Sequence, residues 1–88
     1  MKQVTVKVID PVGLHARPAS VAVKAAMQFK SNIEAVYNGK SVNLKSIMGV
    51  MAAGIPSQAE IVITCEGEDE DVAVAKMEET LRAEKVIA

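Results

Sequence analysis

The earliest clear pattern along the chain is an alternation. In "VTVKVI", residues 4–9, Val4, Val6 and Val8 fall on one face while Thr5 and Lys7 fall on the other, the period-two pattern of a half-buried strand. Asp10-Pro11 ends it, and Gly13 adds loop freedom. From Ala16 to about Phe29 the apolar period becomes helical. Ala19, Ala22, Val23 and Ala26 form one stripe, opposite Ser20, Lys24 and Gln28. The stretch "NIEAVYNGKSVNL", residues 32–44, predicts a hairpin, because Asn38-Gly39 suits a type I′ turn with positive φ at both central positions. A two-residue loop pairs Tyr37 with Lys40, Ala35 with Val42 and Ile33 with Leu44, so turn and apolar pattern agree on one register.

Three elements follow. "KSIMGVMAAGIP" predicts a short helix over 47–53, with Ser46 as N-cap and Gly54 near its stop. "EIVITCE", residues 60–66, is a strand with Ile61, Ile63 and Cys65 inward. "EDEDVAVAKMEETLRAE", residues 68–84, is a helix whose acidic first turn suits the macrodipole. Its core stripe is Ala73, Val74, Met77 and Leu81, and Glu78 with Arg82 makes an exposed (i, i+4) pair. The acidic run before it is expected to cap and solvate this helix. The order is β-α-β-β-α-β-α, an α+β pattern. Four strands with one polar face predict an antiparallel sheet covered by helices on one side only.

Composition narrows the function. With 88 residues and no linker or repeat, a single domain over 1–88 is expected. Phe29 and Tyr37 are the only aromatics, so the core is expected to be built from Val, Ile, Leu, Ala and Met. A net charge of −1 with interspersed signs gives no basic footprint, and no stacking platform exists, so no nucleic acid partner is expected. No apolar run approaches the ~20 residues that span a bilayer, and "MKQVTVKVID" does not read as a secretory signal. A lone cysteine and the missing signal point to a reducing cytoplasm. One His and one Cys cannot furnish a tetrahedral zinc set, so no metal is expected.

The candidate chemistry begins with "GLHARPAS", residues 13–20, which holds the single histidine. Pro18 suits the first helical position and biases Arg17 away from the helical region, placing His15 just outside the helix. There the backbone donors and positive end of the helix await any anion brought to the ring. Arg17 adds a guanidinium suited to phosphate oxygens. On residue logic two readings stand level: an exposed or capping histidine without chemistry, and covalent phosphoryl acceptance on the ring. No carboxylate and serine complete a hydrolytic triad. Ser46 is fully explained as an N-cap. "GKS" at 39–41 resembles the end of a P-loop, but Glu34 stands where a glycine is needed and the site is a hairpin turn. Cys65, inward on its strand, reads as a packing thiol.

Together, "GLHARPAS" and "NLKSIMGVM" closely resemble the HPr family, the histidine-containing phosphocarriers of the bacterial sugar phosphotransferase system. The likeness runs the whole length. It implies an open-faced β-sandwich of four antiparallel strands covered by three helices, acting as a monomer without cofactor. It also implies a carrier rather than an enzyme: His15 takes a phosphoryl group on Nδ1 from phospho-enzyme I, charged by phosphoenolpyruvate, and passes it to the IIA domains of sugar permeases. Arg17 would steady that group. In low-GC Gram-positive members the serine matching Ser46 is phosphorylated by HPr kinase/phosphorylase, and that form binds the catabolite control repressor CcpA in carbon catabolite repression. Partner docking would fall on Ser20, Val21, Lys24, Ile47, Met48 and Met51, the methionines supplying an adaptable surface.

The match is imperfect at Val12, where many members carry a small hydroxyl or polar residue, and at the apolar Val21 and Met27. These positions are expected to tune partner choice. A regulatory module of the same fold without a phosphorylated histidine is the competing reading, and the presence of His15 weighs against it. A small metabolite- or RNA-binding α/β domain is disfavoured by the absence of basic and aromatic surface.

Overall fold

A computed structural model describes all 88 residues. Strand β1 (Lys2–Lys7) leads to helix α1 (Ala16–Ala26), then β2 (Asn32–Tyr37), β3 (Lys40–Asn43), α2 (Ile47–Ala53), β4 (Glu60–Glu66) and α3 (Glu70–Ala83). The sheet order is β1-β4-β2-β3, and every neighbouring pair is antiparallel. This is the open-faced sandwich that the patterning and the resemblance predict.

Register explains the single covered face. Val6 stands opposite Ile61 and Val4 opposite Ile63, while Ile33 meets Cys65 and Ala35 meets both Ile63 and Val42. With side chains alternating along each strand, these residues share one apolar face, and their intervening neighbours Thr5, Thr64, Glu34 and Ser41 share the other. The hairpin holds the predicted register, Tyr37 against Lys40, with Asn38 and Gly39 at φ 52° and 75°. Leu44 N–H donates to the Ile33 carbonyl at 2.9 Å, continuing the pairing beyond β3.

Helices α1 and α3 pack together, α3 against β1 and β4 and α2 against β3. Helix α1 turns alanines inward: Ala19, Ala22, Ala25 and Ala26 are buried. Small side chains let its backbone lie close to its neighbours, while Met77, Leu81 and the strand isoleucines fill the volume. Cys65 is fully buried, and burial, reinforced by Asp69 and Glu70, pushes its thiol up from the ordinary range.

Several expectations shift. Strand β1 starts two residues earlier than predicted and ends at Lys7, with Val8 making an isolated bridge to Ile87. Helix α1 stops at Ala26, because the following N–H groups reach the Val23, Ala25 and Ala26 carbonyls in a tightening turn. Helix α3 spans 70–83 rather than 68–84. The segment after it folds back and buries Val86 and Ile87, each burial worth about 1.5–3 kcal/mol. Two residues give no period to read.

Asp69 also departs from expectation. Its carboxylate caps no N–H of α3. Instead it accepts the backbone N–H groups of Lys30 and Ser31, both at 2.9 Å, and the Ser31 hydroxyl. Glu70 takes the local role, accepting the Gly67 N–H at 3.1 Å. The Ser31 hydroxyl, then the Lys30 N–H, favour the charged carboxylate and lower Asp69 from 3.8 to about 2.

Because the folded value is depressed, the stabilisation is fully present above the unfolded value and disappears as pH falls through the folded one. The wild-type melting temperature should therefore fall between pH 4 and about 2. Asp69→Asn should melt lower at neutral pH and lose less over that window, the two curves converging in acid. Parallel curves would remove Asp69 from the acid response.

Candidate phosphoryl-acceptor site

The loop carrying His15 is pinned by distant backbone. Val8 N–H donates to the Ala59 carbonyl at 2.8 Å, and the Val8 carbonyl accepts the Gln58 N–H at 2.7 Å. Ile9 N–H reaches the Val86 carbonyl at 2.9 Å, and Leu14 N–H reaches the Ile55 carbonyl at 2.9 Å. Leu14 and Ile55 are both buried, so apolar packing seats the same crossing. Gly13 lies against the Ile55-Pro56 backbone at φ +73°; a Cβ there would collide with the Ile55 carbonyl oxygen and lie 2.9 Å from Pro56 backbone atoms. Only glycine meets both demands.

From that anchor the chain delivers His15 as the N-cap of α1, extended at φ −140° and ψ 162°, exposed, with no side-chain cap bond. The helix opens at Ala16, two residues before Pro18. Pro18 is thus its third residue, where a missing N–H is harmless because the first four N–H groups of a helix lack intrahelical partners. Ala16 adopts φ +49°, a left-handed conformation that costs about 1–3 kcal/mol for a residue with a Cβ. The N–H groups of Ala16 and Arg17 have no acceptor in the fold. An exposed imidazole next to two free backbone donors at a helix N-terminus is arranged to take up an anion.

Arg17 points elsewhere. Its guanidinium lies 3.4 Å from Asp10 Oδ2 and 3.4 Å from Glu84 Oε1, and donates to the Glu84 carbonyl at 3.2 Å. Asp10 and Glu84 escape a sequence reading because they stand 7 and 67 positions from Arg17.

Ser46 is the N-cap of α2: its Oγ accepts the Gly49 N–H at 3.0 Å, and Gly54 ends the helix. The helix buries Val50 and turns Ile47, Met48 and Met51 outward, Met48 being 79% exposed. Helix α1 packs against α2 and carries Ser20 and Val21, half-buried, and Lys24, exposed. Val12 and Met27 are exposed as well. An open groove of about 580 Å³ between the hairpin and α2, lined by Tyr37, Lys40, Ser41 and Asn43 among others, holds none of these residues. No group of three or more His, Cys, Asp or Glu side chains is placed to hold a metal ion. No helix is long and apolar enough to cross a membrane.

These features define a small α+β protein with an exposed histidine at a helix mouth. Residues 2–83 match the family model described as the PTS HPr component phosphorylation site. A Mycoplasma histidine-containing phosphocarrier protein is similar at 44% identity, covering 98% of each chain, with a TM-score of 0.93. The phosphocarrier protein HPr of Bacillus anthracis is 39% identical over 90% of this chain and 94% of its own, with a TM-score of 0.82. Crh of Bacillus subtilis, a catabolite repression protein solved as a domain-swapped dimer, is 38% identical over 96% and 97%, with a TM-score of 0.73. The chain belongs to the HPr family of phosphocarriers of the phosphotransferase system.

The loop anchor carries a prediction. Gly13→Ala combines a strained φ with a backbone collision, so it should cost more than the ~1 kcal/mol typical of a point change. Denaturant unfolding measures it, and a loss below ~0.5 kcal/mol would show that the crossing relaxes freely.

Proposed function

We propose that His15 Nδ1 accepts a phosphoryl group from phospho-enzyme I and hands it to the IIA domains of sugar permeases. The observation that carries this reading is the exposed His15 ring at the N-cap of α1, beside the unpartnered Ala16 and Arg17 N–H groups, in a chain of the HPr family. The Nδ1 lone pair forms the new N–P bond as the phosphoryl group's bond to the donor breaks, and that bonding pair leaves with the donor. Developing charge on the phosphoryl oxygens faces the helix N-terminus, and Arg17 turns its guanidinium onto them. The chain works as a cytoplasmic carrier, one domain over 1–88, as a monomer and without cofactor. Ser20, Val21 and Lys24 of α1 with Ile47, Met48 and Met51 of α2 form its docking surface.

Ser46 is proposed as the regulatory site, phosphorylated by HPr kinase/phosphorylase, the modified form binding CcpA in carbon catabolite repression. A phosphate at a helix N-terminus is tolerated by the fold, yet it puts about −1.5 to −2 charges beside Ile47 and Met48. Likeness to Crh, a catabolite repression protein, supports this part of the reading.

His15→Ala should take no label from phosphoenolpyruvate and enzyme I, with circular dichroism unchanged. The wild-type adduct should be acid-labile and base-stable, as a phosphoramidate is. Full labelling of the variant would move the acceptor elsewhere.

At Ser46 two substitutions should diverge. Ser46→Ala leaves the Gly49 N–H without its acceptor, costing ~1 kcal/mol, and should remain a good enzyme I substrate. Ser46→Asp keeps an acceptor and should stay stable while accepting phosphate slowly. Equal transfer rates would show that charge at this helix end does not gate docking.

A further inference from the structure

We infer that the carboxylates of Asp10 and Glu84 form a resting berth for the Arg17 guanidinium, acting as positioning residues that set how firmly His15 retains its phosphoryl group. The inference rests on the phosphocarrier reading above and adds to it a competition for one guanidinium.

Arg17 makes three polar contacts, all to this berth: Asp10 Oδ2, Glu84 Oε1 and the Glu84 carbonyl. None goes to His15. The berth is assembled by tertiary structure, since Asp10 follows β1 and Glu84 is the C-cap of α3. Asp10 is held in place on three sides. Its N–H donates to the Val86 carbonyl at 3.4 Å, its carbonyl accepts the Gly13 N–H at 2.9 Å, and its Oδ1 accepts the Val12 N–H at 3.1 Å. Only Oδ2 remains to face the guanidinium, and the Asp10 side chain is 14% exposed against 55% for Arg17. The Glu84 carbonyl lies at the negative end of α3, so a side-chain cation there also answers an orphan acceptor.

A planar fork of N–H donors cannot serve the berth and a phosphoryl group in full at once. Phosphorylation brings a competing anion, and Arg17 must leave some or all of its partners to meet it. The berth makes and breaks no covalent bond. It stabilises the unphosphorylated state alone, which weakens retention of the N–P bond and keeps His15 a ready donor to the next acceptor.

The test is the equilibrium between phosphoenolpyruvate and the phosphorylated protein, with catalytic enzyme I, read by the pyruvate formed and by phosphohistidine content. Asp10→Asn keeps the Oδ1 acceptor and Glu84→Gln keeps the side-chain length, so each removes the negative charge and exchanges one acceptor oxygen for an amide NH2 with little change of shape. The double variant should shift the equilibrium roughly three- to tenfold toward the phosphorylated protein, the size expected for two ion pairs on a half-exposed guanidinium. The same pair placed in an Arg17→Gln background should produce no shift, because the carboxylates then have nothing to hold. An unchanged equilibrium in the first background overturns the berth. An equal shift in both backgrounds also overturns it, assigning the effect to direct repulsion between carboxylates and phosphoryl group. If Asp10→Asn loosens the fold, the exposed Glu84→Gln change alone should still give about half the logarithmic shift. Absence of label on wild-type His15 would instead defeat the phosphocarrier reading itself, an outcome distinct from a labelled protein whose equilibrium ignores the two carboxylates.

Discussion

Burial of one sheet face beneath three helices is the constraint from which the site geometry descends. The strands supply Val, Ile and Cys at alternate positions, and α1 answers with alanines, so helix and neighbours approach closely. The cluster of 20 buried residues includes Leu14, Ile55, Val86 and Ile87, none of which lies in a helix or a strand. Core packing therefore reaches past the regular elements into the connections. The segment before His15 is held from below by Leu14 and from the side by backbone bonds to Ile55, Ala59 and Val86. That support is what allows Ala16 to persist in a left-handed conformation at the helix entrance.

A division of labour follows. Residues at the proposed acceptor contribute little to stability: His15 makes no cap bond, and ion pairs of a half-exposed guanidinium such as Arg17 are worth at most about 1 kcal/mol each. Residues that fix the geometry are buried, backbone-bonded or glycine. Val12 and Met27 are exposed and belong to no part of that frame.

Much of this was legible in the sequence where the governing rule is local. The Asn38-Gly39 turn set the hairpin register, Ser46 and Gly54 bounded α2, and the alternation of Ile61, Ile63 and Cys65 marked β4. His15 stood out by its place before a helical pattern, but the pattern left its role open; the two motifs together supplied the family resemblance on which the proposed chemistry rests. What stayed hidden depends on tertiary contact. Asp69 looks like a helix cap until Ser31, 38 positions away, is brought to it. Arg17 looks free until Asp10 and Glu84 close around it. Val86 and Ile87 are too few to form a period, and Pro18 pointed to a helix start two residues late because several early positions tolerate a missing N–H.

The seclusion of Cys65 has a practical side. It is the only thiol in the chain, it lies on β4 between β1 and β2, and its burial disfavours the reactive thiolate. A thiol reagent can reach it only when the sheet parts from its helices. Its modification rate is consequently a clock for transient opening of the molecule, with no label added and no residue of the exposed site altered. Slow labelling of the native chain reports how rarely the two layers separate, while the exposed His15 stays in contact with water throughout.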